Sequence, residues 1–132
     1  MNYWMVKSEP NSYSWEDFEG KGEDVWDGVR NYQARNYLKE MEVGDAVMFY
    51  HSGKEKAVVG IAKVSVSAFP DPKDEAWVAV NLKAHQKLNK PVTLSQIKSE
   101  DSLSELPMLK QSRLSVLPMS KEEFETILKM SK

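Results

Sequence analysis

The stretch "AVVGIAKVSVSAFPDPKDEAWVAVNLKAHQKL", Ala57 to Leu88, decides the architecture. Its first part, Ala57 to Phe69, is rich in β-branched residues and reads as one long strand. Gly60 inside it marks a bulge or a place where another backbone comes close. "FPDP", Phe69 to Pro72, is expected to leave the sheet, because two prolines do not both fit a hydrogen-bonded ladder. In the second part, Val78, Val80, Leu82 and Ala84 fall on one face at period two, with Ala79, Asn81, Lys83 and His85 on the other. That alternation is the mark of a half-buried strand.

Upstream, "DAVMFYHS" (Asp45 to Ser52) reads as a strand, and "SGKEK" after it supplies a polar turn with Gly53. "YWMVKS" (Tyr3 to Ser8) is a further strand, ended by Pro10. Ser14 with Asp17 starts a short helix that stops at Gly20, and "EDVW" (Glu23 to Trp26) is a short strand. Val29, Tyr32, Ala34, Tyr37, Leu38 and Met41 recur near helical spacing, with Asn31 able to cap. Downstream, "TLSQIKSE" and "SLSEL" read as short helical pieces capped by Thr93 and Ser102. "SRLSVLP" (Ser112 to Pro118) reads as a returning strand, and Ser120 with Glu123 opens a helix that lines up Phe124, Ile127 and Leu128. About five or six strands, mostly hairpin-connected and flanked by helices, predict an α+β fold around a small, partly open β-barrel.

At 132 residues the chain is expected to be one domain spanning residues 1–132. There are no repeats or linkers to divide it, and a monomer is expected. No apolar run approaches a membrane span and the N-terminus lacks a secretion-signal pattern, so no membrane partner and a cytoplasmic setting are expected, nuclear if the source is eukaryotic. The absence of cysteine removes disulfides, thiolate nucleophiles and most zinc sites, and His51 and His85 alone do not make a metal centre. Neither metal nor cofactor is expected. A net charge of -2 argues against a protein that coats long nucleic acid, which needs clustered Lys and Arg. A single base, however, is uncharged and is read by stacking and edge hydrogen bonds.

"WDGVRNYQARN", Trp26 to Asn36, concentrates such groups. Trp26 precedes the turn pair Asp27 and Gly28, which leaves its indole either as a stacking platform or as filling beneath the helix. Stacking of a base on an aromatic ring is worth roughly 1 to 3 kcal/mol. Asn31, Gln33, Arg35 and Asn36 carry amide and guanidinium groups suited to base edges or phosphate, though Asn31 is equally a helix cap. "KSEP" (Lys7 to Pro10) leaves a strand with unpaired backbone groups, and Glu9 can accept from an amino group. "FYHS" (Phe49 to Ser52) ends another strand, where a lone His is more often a satisfied hydrogen-bonding residue than a ligand. "KQSRLS" (Lys110 to Ser115) offers charge for a phosphate. No nucleophile elbow, P-loop, dinucleotide fingerprint or zincin motif occurs.

Taken together, "YWMVKSEP", "YSWEDF", "VWDGVRNYQARNYL", "VGDAVMFYHS", "VVGIAKV", "FPDP", "PVTLSQIK" and "QSRLSVLP" resemble the EVE domain family, in family order and over about Asn2 to Met130. The resemblance implies a PUA-like fold, related to the YTH readers of methylated adenine. It also implies non-catalytic recognition of a modified base, particularly cytosine, flipped from DNA or RNA into an aromatic-lined pocket. Carried over by motif, it implies a ligand site of Lys7, Ser8, Glu9, Trp26, Asn31, Tyr32, Tyr50, His51, Ser52, Ser112, Arg113 and Ser115, with Phe69 standing in for a further cage aromatic. Arg30, Arg35 and Lys110 are expected to meet phosphates. Under that resemblance Trp26 becomes a ligand-stacking residue. Two alternatives remain at this stage: an amidohydrolase using Lys7 and Glu9 on acylated cytidine, as in some PUA-like proteins, and a protein-interaction module whose pocket is blocked.

Overall fold

A computed structural model describes all 132 residues. Six strands form one mixed sheet in the order β2-β5-β4-β3-β1-β6, with β1 (Tyr3–Ser8), β2 (Glu23–Trp26), β3 (Ala46–His51), β4 (Ala57–Asp71), β5 (Asp74–Thr93) and β6 (Val116–Met119). Only β1 and β3 are parallel; all other pairs are antiparallel. The helices are α1 (Trp15–Lys21), α2 (Tyr32–Glu40), α3 (Leu94–Ser99), α4 (Pro107–Lys110) and α5 (Lys121–Met130). None is long and apolar enough to cross a membrane.

The long hairpin β4–β5 bends the sheet. A flat strand of the length of β5, at about 3.3 Å per residue, would be roughly 66 Å long, well beyond the roughly 36 Å width of a compact chain this size. The pairing therefore shifts register repeatedly, between Val58 and Gly60, Ile61 and Ala62, and Val64 and Phe69, and each shift adds bend and twist. The curl brings the two ends of the sheet together without closing it. The Trp26 ring on edge strand β2 lies 5.6 Å from Phe49 on β3, although β5 and β4 stand between them in strand order. A partly open barrel is the result, with its seam between β2 and the β1–β6 edge.

Three expected caps form full capping boxes: Ser14 with Asp17, Thr93 with Gln96 and Ser120 with Glu123. Helix α1 runs slightly past Gly20 and ends at Gly22, which adopts φ +79. Three local expectations are corrected. Pro70 does not leave the sheet; it sits in β4 opposite Val78. β3 pairs with β4 only as far as Lys63, so beyond that point one side of β4 faces no strand and a missing N–H costs no ladder bond. The turn falls to Pro72 and Lys73. Ser102 does not cap its turn: Glu100 does, accepting from the backbone and hydroxyl of Ser102. The returning strand is only Val116–Met119, because Ser112 to Leu114 turn away.

Candidate functional site

A cleft of about 550 Å³ opens at the seam of the curled sheet. One wall is β2 and the loop after it, from Asp24 to Arg30; the other is the end of β1, at Lys7 and Ser8, with Ser115 from the segment entering β6. Trp26 is half-buried and lines this cleft. Its ring meets Phe49 and Phe18 edge-on, at 5.6 and 6.4 Å between centroids, and Tyr13 at 6.1 Å. Those contacts fix the indole from behind. Ser8 lies on the same cleft, its hydroxyl donating to the Tyr13 carbonyl at 2.5 Å.

The period of two along β2 puts Asp24 on the same face as Trp26. The Asp24 carboxylate accepts from the Tyr13 hydroxyl at 2.6 Å, the Val25 N–H at 2.8 Å and Lys21 at 3.3 Å. Burial raises its pKa, but these donors and the Lys21 charge outweigh that and hold it below the ordinary carboxylate value. Burial and the adjacent carboxylate push the Tyr13 phenol well above its usual range, so its proton stays. At neutral pH the cleft thus carries a fixed acceptor beside an aromatic face.

The loop Asp27 to Arg30 is held by Asp71, whose side chain is fully buried. It accepts from the N–H of Gly28 at 2.9 Å, the Arg30 guanidinium at 3.0 Å and the N–H of Lys73 at 2.7 Å. Burial opposes ionisation, yet the backbone donors and Arg30 prevail and bring its pKa down to about 2. A depressed folded-state value means stability that is present above the unfolded pKa, near 4, and lost as pH falls through 2. Asp71→Asn is expected to cost about 1 to 2 kcal/mol at pH 7. In thermal unfolding, the gap from wild type should narrow between pH 4 and 2; a gap independent of pH would show that the charge is not what matters.

Sequence neighbours separate here. Lys7 and Tyr50 are paired across the parallel β1–β3 register, and so are Ser8 and His51, on opposite faces of the sheet. Lys7 reaches both sides. It touches the Trp26 cleft and also a second pocket of about 230 Å³, which holds Tyr50, Ser52 and Ser112. There the Lys7 ammonium donates to the Ser112 carbonyl at 2.8 Å and sits 5.8 Å from the Tyr50 ring centre. Burial lowers the Lys7 pKa and raises that of Tyr50.

The remaining expected residues lie elsewhere. Glu9 lines neither cavity; its carboxylate accepts from the N–H groups of Asn11 and Ser12 and stabilises its own turn. Lys7 and Glu9 therefore line no common cavity. Asn31 caps α2 by accepting from Ala34. His51 is only 4% exposed; Nε2 accepts from the Trp15 N–H, so Nδ1 carries the proton toward Glu55 at 2.9 Å. It anchors the start of α1. Phe69 is paired with Ala79 inside β4, Arg113 is exposed, and Lys110 is ion-paired with Glu105. Tyr32 and Arg35 gather around Trp77, outside the cleft. Sequence reasoning passed over Tyr13, Lys21 and Asp24; the i, i+2 spacing of Asp24 and Trp26 within a strand was the available signal.

An open mixed sheet, curled so that its seam forms one aromatic-walled cleft, defines a small α+β fold of the PUA-like kind. The chain belongs to the EVE domain family, whose profile matches residues 2–130. It is 44% identical to mouse thymocyte nuclear protein 1 over 82 residues, covering 53% of this chain and 36% of that protein. The chain thus aligns with about a third of the length of that relative. Among solved structures, a protein of Agrobacterium tumefaciens superposes with a TM-score of 0.97 at 39% identity, covering 99% of this chain and 93% of that one. Human THYN1, in complex with 5-methylcytosine-containing DNA, superposes with a TM-score of 0.94 at 28% identity, covering 100% of this chain and 98% of that chain.

Proposed function

We propose that the seam cleft receives a modified cytosine flipped out of a nucleic acid strand and holds it without chemical change. The observation that carries this reading is the meeting of a half-buried indole, Trp26, with an ionised acceptor, Asp24, and the strand end at Ser8 in one cavity. The DNA bound by the human relative is consistent with it.

Each group has a task that its chemistry fits. Trp26 stacks on the ring, offsetting part of the few kcal/mol needed to unstack a base. Asp24 accepts from the exocyclic amino group, which cytosine presents and thymine does not. Tyr13 and Lys21 keep that carboxylate charged and aimed. Val29 and the indole supply apolar wall for a methyl substituent. One buried methyl is worth about 0.8 kcal/mol, which is roughly four-fold in affinity, so selectivity for methylated over plain cytosine is modest.

The test is fluorescence anisotropy with short DNA and RNA strands carrying 5-methylcytosine, cytosine or thymine at one position. The expected order is 5-methylcytosine, then cytosine, then thymine, with thymine weakest because Asp24 is left facing a carbonyl. Identical affinities across the panel would defeat the proposal.

A further inference from the structure

Beside the cleft stands an aromatic and guanidinium cluster that base flipping does not use. Tyr32 and Trp77 stack with ring centres 5.0 Å apart and planes 29° from parallel. The Arg35 guanidinium lies 4.9 Å from the Tyr32 ring centre and 5.5 Å from that of Trp77, and Arg30 lies 5.6 Å from Trp77. Such a stack could simply brace α2 against β5, since Arg35 also donates to the Ala76 carbonyl at 3.1 Å. Two features go beyond bracing. Tyr32 remains 67% exposed, although Ala34 and Leu38 already dock the helix in the core. Arg35 makes no ion pair with any carboxylate, so its charge is uncompensated where a π surface faces solvent.

The cluster is also continuous with the cleft. Arg30 is at once a cleft residue and a neighbour of the Trp77 ring, and Asp71 fixes its guanidinium through a buried carboxylate. Through Arg30 the cluster borders the cleft that the proposed function assigns to the flipped base.

We propose that Tyr32 and Trp77, with Arg30 and Arg35, form a second subsite that stacks the unpaired base adjacent to the flipped one and holds the phosphate between them. The subsite rests on the proposed function for its strand path, and it deepens that reading: the preferred ligand is a strand with single-stranded flanks, not a fully paired duplex. The chemistry is that of single-strand binders, an aromatic platform under a base and a cation beside the backbone. Such a platform has no preference for the identity of the flanking base.

Tyr32→Ala is the direct test, because the side chain is exposed and its loss leaves the core intact. Affinity is compared for a five-nucleotide strand with central 5-methylcytosine, by anisotropy, and for 5-methyl-2′-deoxycytidine monophosphate alone, by NMR titration. Stacking of one base predicts about a ten-fold loss on the strand and none on the mononucleotide. Tyr32→Phe should bind the strand like wild type, and Trp77→Ala should reproduce the loss. If Tyr32→Ala binds the strand unchanged, or loses as much on the mononucleotide, the subsite is overturned and the cluster is a brace or a protein contact. Should strands carrying 5-methylcytosine, cytosine and thymine bind wild type alike, base recognition in the cleft fails; a Tyr32→Ala loss on all of them still supports the platform.

Discussion

Gly60→Ala is expected to destabilise the domain by roughly 3 kcal/mol, at the upper end of what overpacking a core costs. A β-carbon built on Gly60 falls 2.5 Å from Cζ3 of Trp15, and 2.6 and 2.7 Å from Cε3 and Cδ2. No relaxed contact is that short. The indole has nowhere to retreat: Trp15 is 1% exposed and is held edge-on by Phe49 and Phe18, at 5.3 and 5.5 Å. Its backbone N–H is fixed to His51. All three clashing atoms belong to the six-membered ring of the indole, which a phenyl group does not reproduce in place. Trp15→Phe should therefore partly rescue Gly60→Ala, giving a favourable coupling in a double-mutant cycle read by urea unfolding. Additive losses would mean that Trp15 does not lie over Gly60 in solution. Because Trp15 begins α1 directly after Tyr13 and Ser14, the alanine variant should also loosen the Tyr13 wall of the cleft.

Gly60 illustrates how far the sequence could be read. A glycine inside a β-branched run announces either a bulge or a close approach, and it has both: a register shift beside it and an indole on top, where a backbone had been expected. The strands, the capping boxes and the open barrel were legible because each rests on local periodicity or on cap chemistry at fixed spacing. The family resemblance also grouped Trp26 with Ser8, and both line the seam cleft. What was not legible is which face each residue takes. Lys7 and Ser8 adjoin in sequence, as do Tyr50 and His51, yet a strand sends neighbours to opposite sides, so motifs read as blocks were split between the cleft, a second pocket and the core. The long-range partners were hidden for another reason. Nothing near "FPDP" announces that Asp71 clamps the Gly28 loop 43 residues away. Nor does "VGD" reveal that Asp45 is buried and accepts from the Asn2 N–H, the Trp4 indole and the Glu42 N–H.

Trp26→Ala is expected to weaken binding of a strand containing 5-methylcytosine by about 10- to 100-fold, the loss of one base–aromatic stack at the strong end of its range. The same substitution removes half-buried ring surface that touches Phe18, Phe49 and Tyr13, so a cost of roughly 2 kcal/mol to folding accompanies it. The two effects separate by variant. Trp26→Phe keeps an aromatic face in the cleft and should recover most of the binding. Asp24→Asn keeps the shape of the wall but loses the charged acceptor, and should reduce discrimination between cytosine and thymine more than it reduces total affinity. If the indole were only packing, Trp26→Ala protein that is folded by circular dichroism would bind the strand as tightly as wild type. That result would leave the cleft without a stacking surface, because Tyr13 is committed edge-on to the indole and its hydroxyl to Asp24, and no other aromatic side chain reaches the cavity.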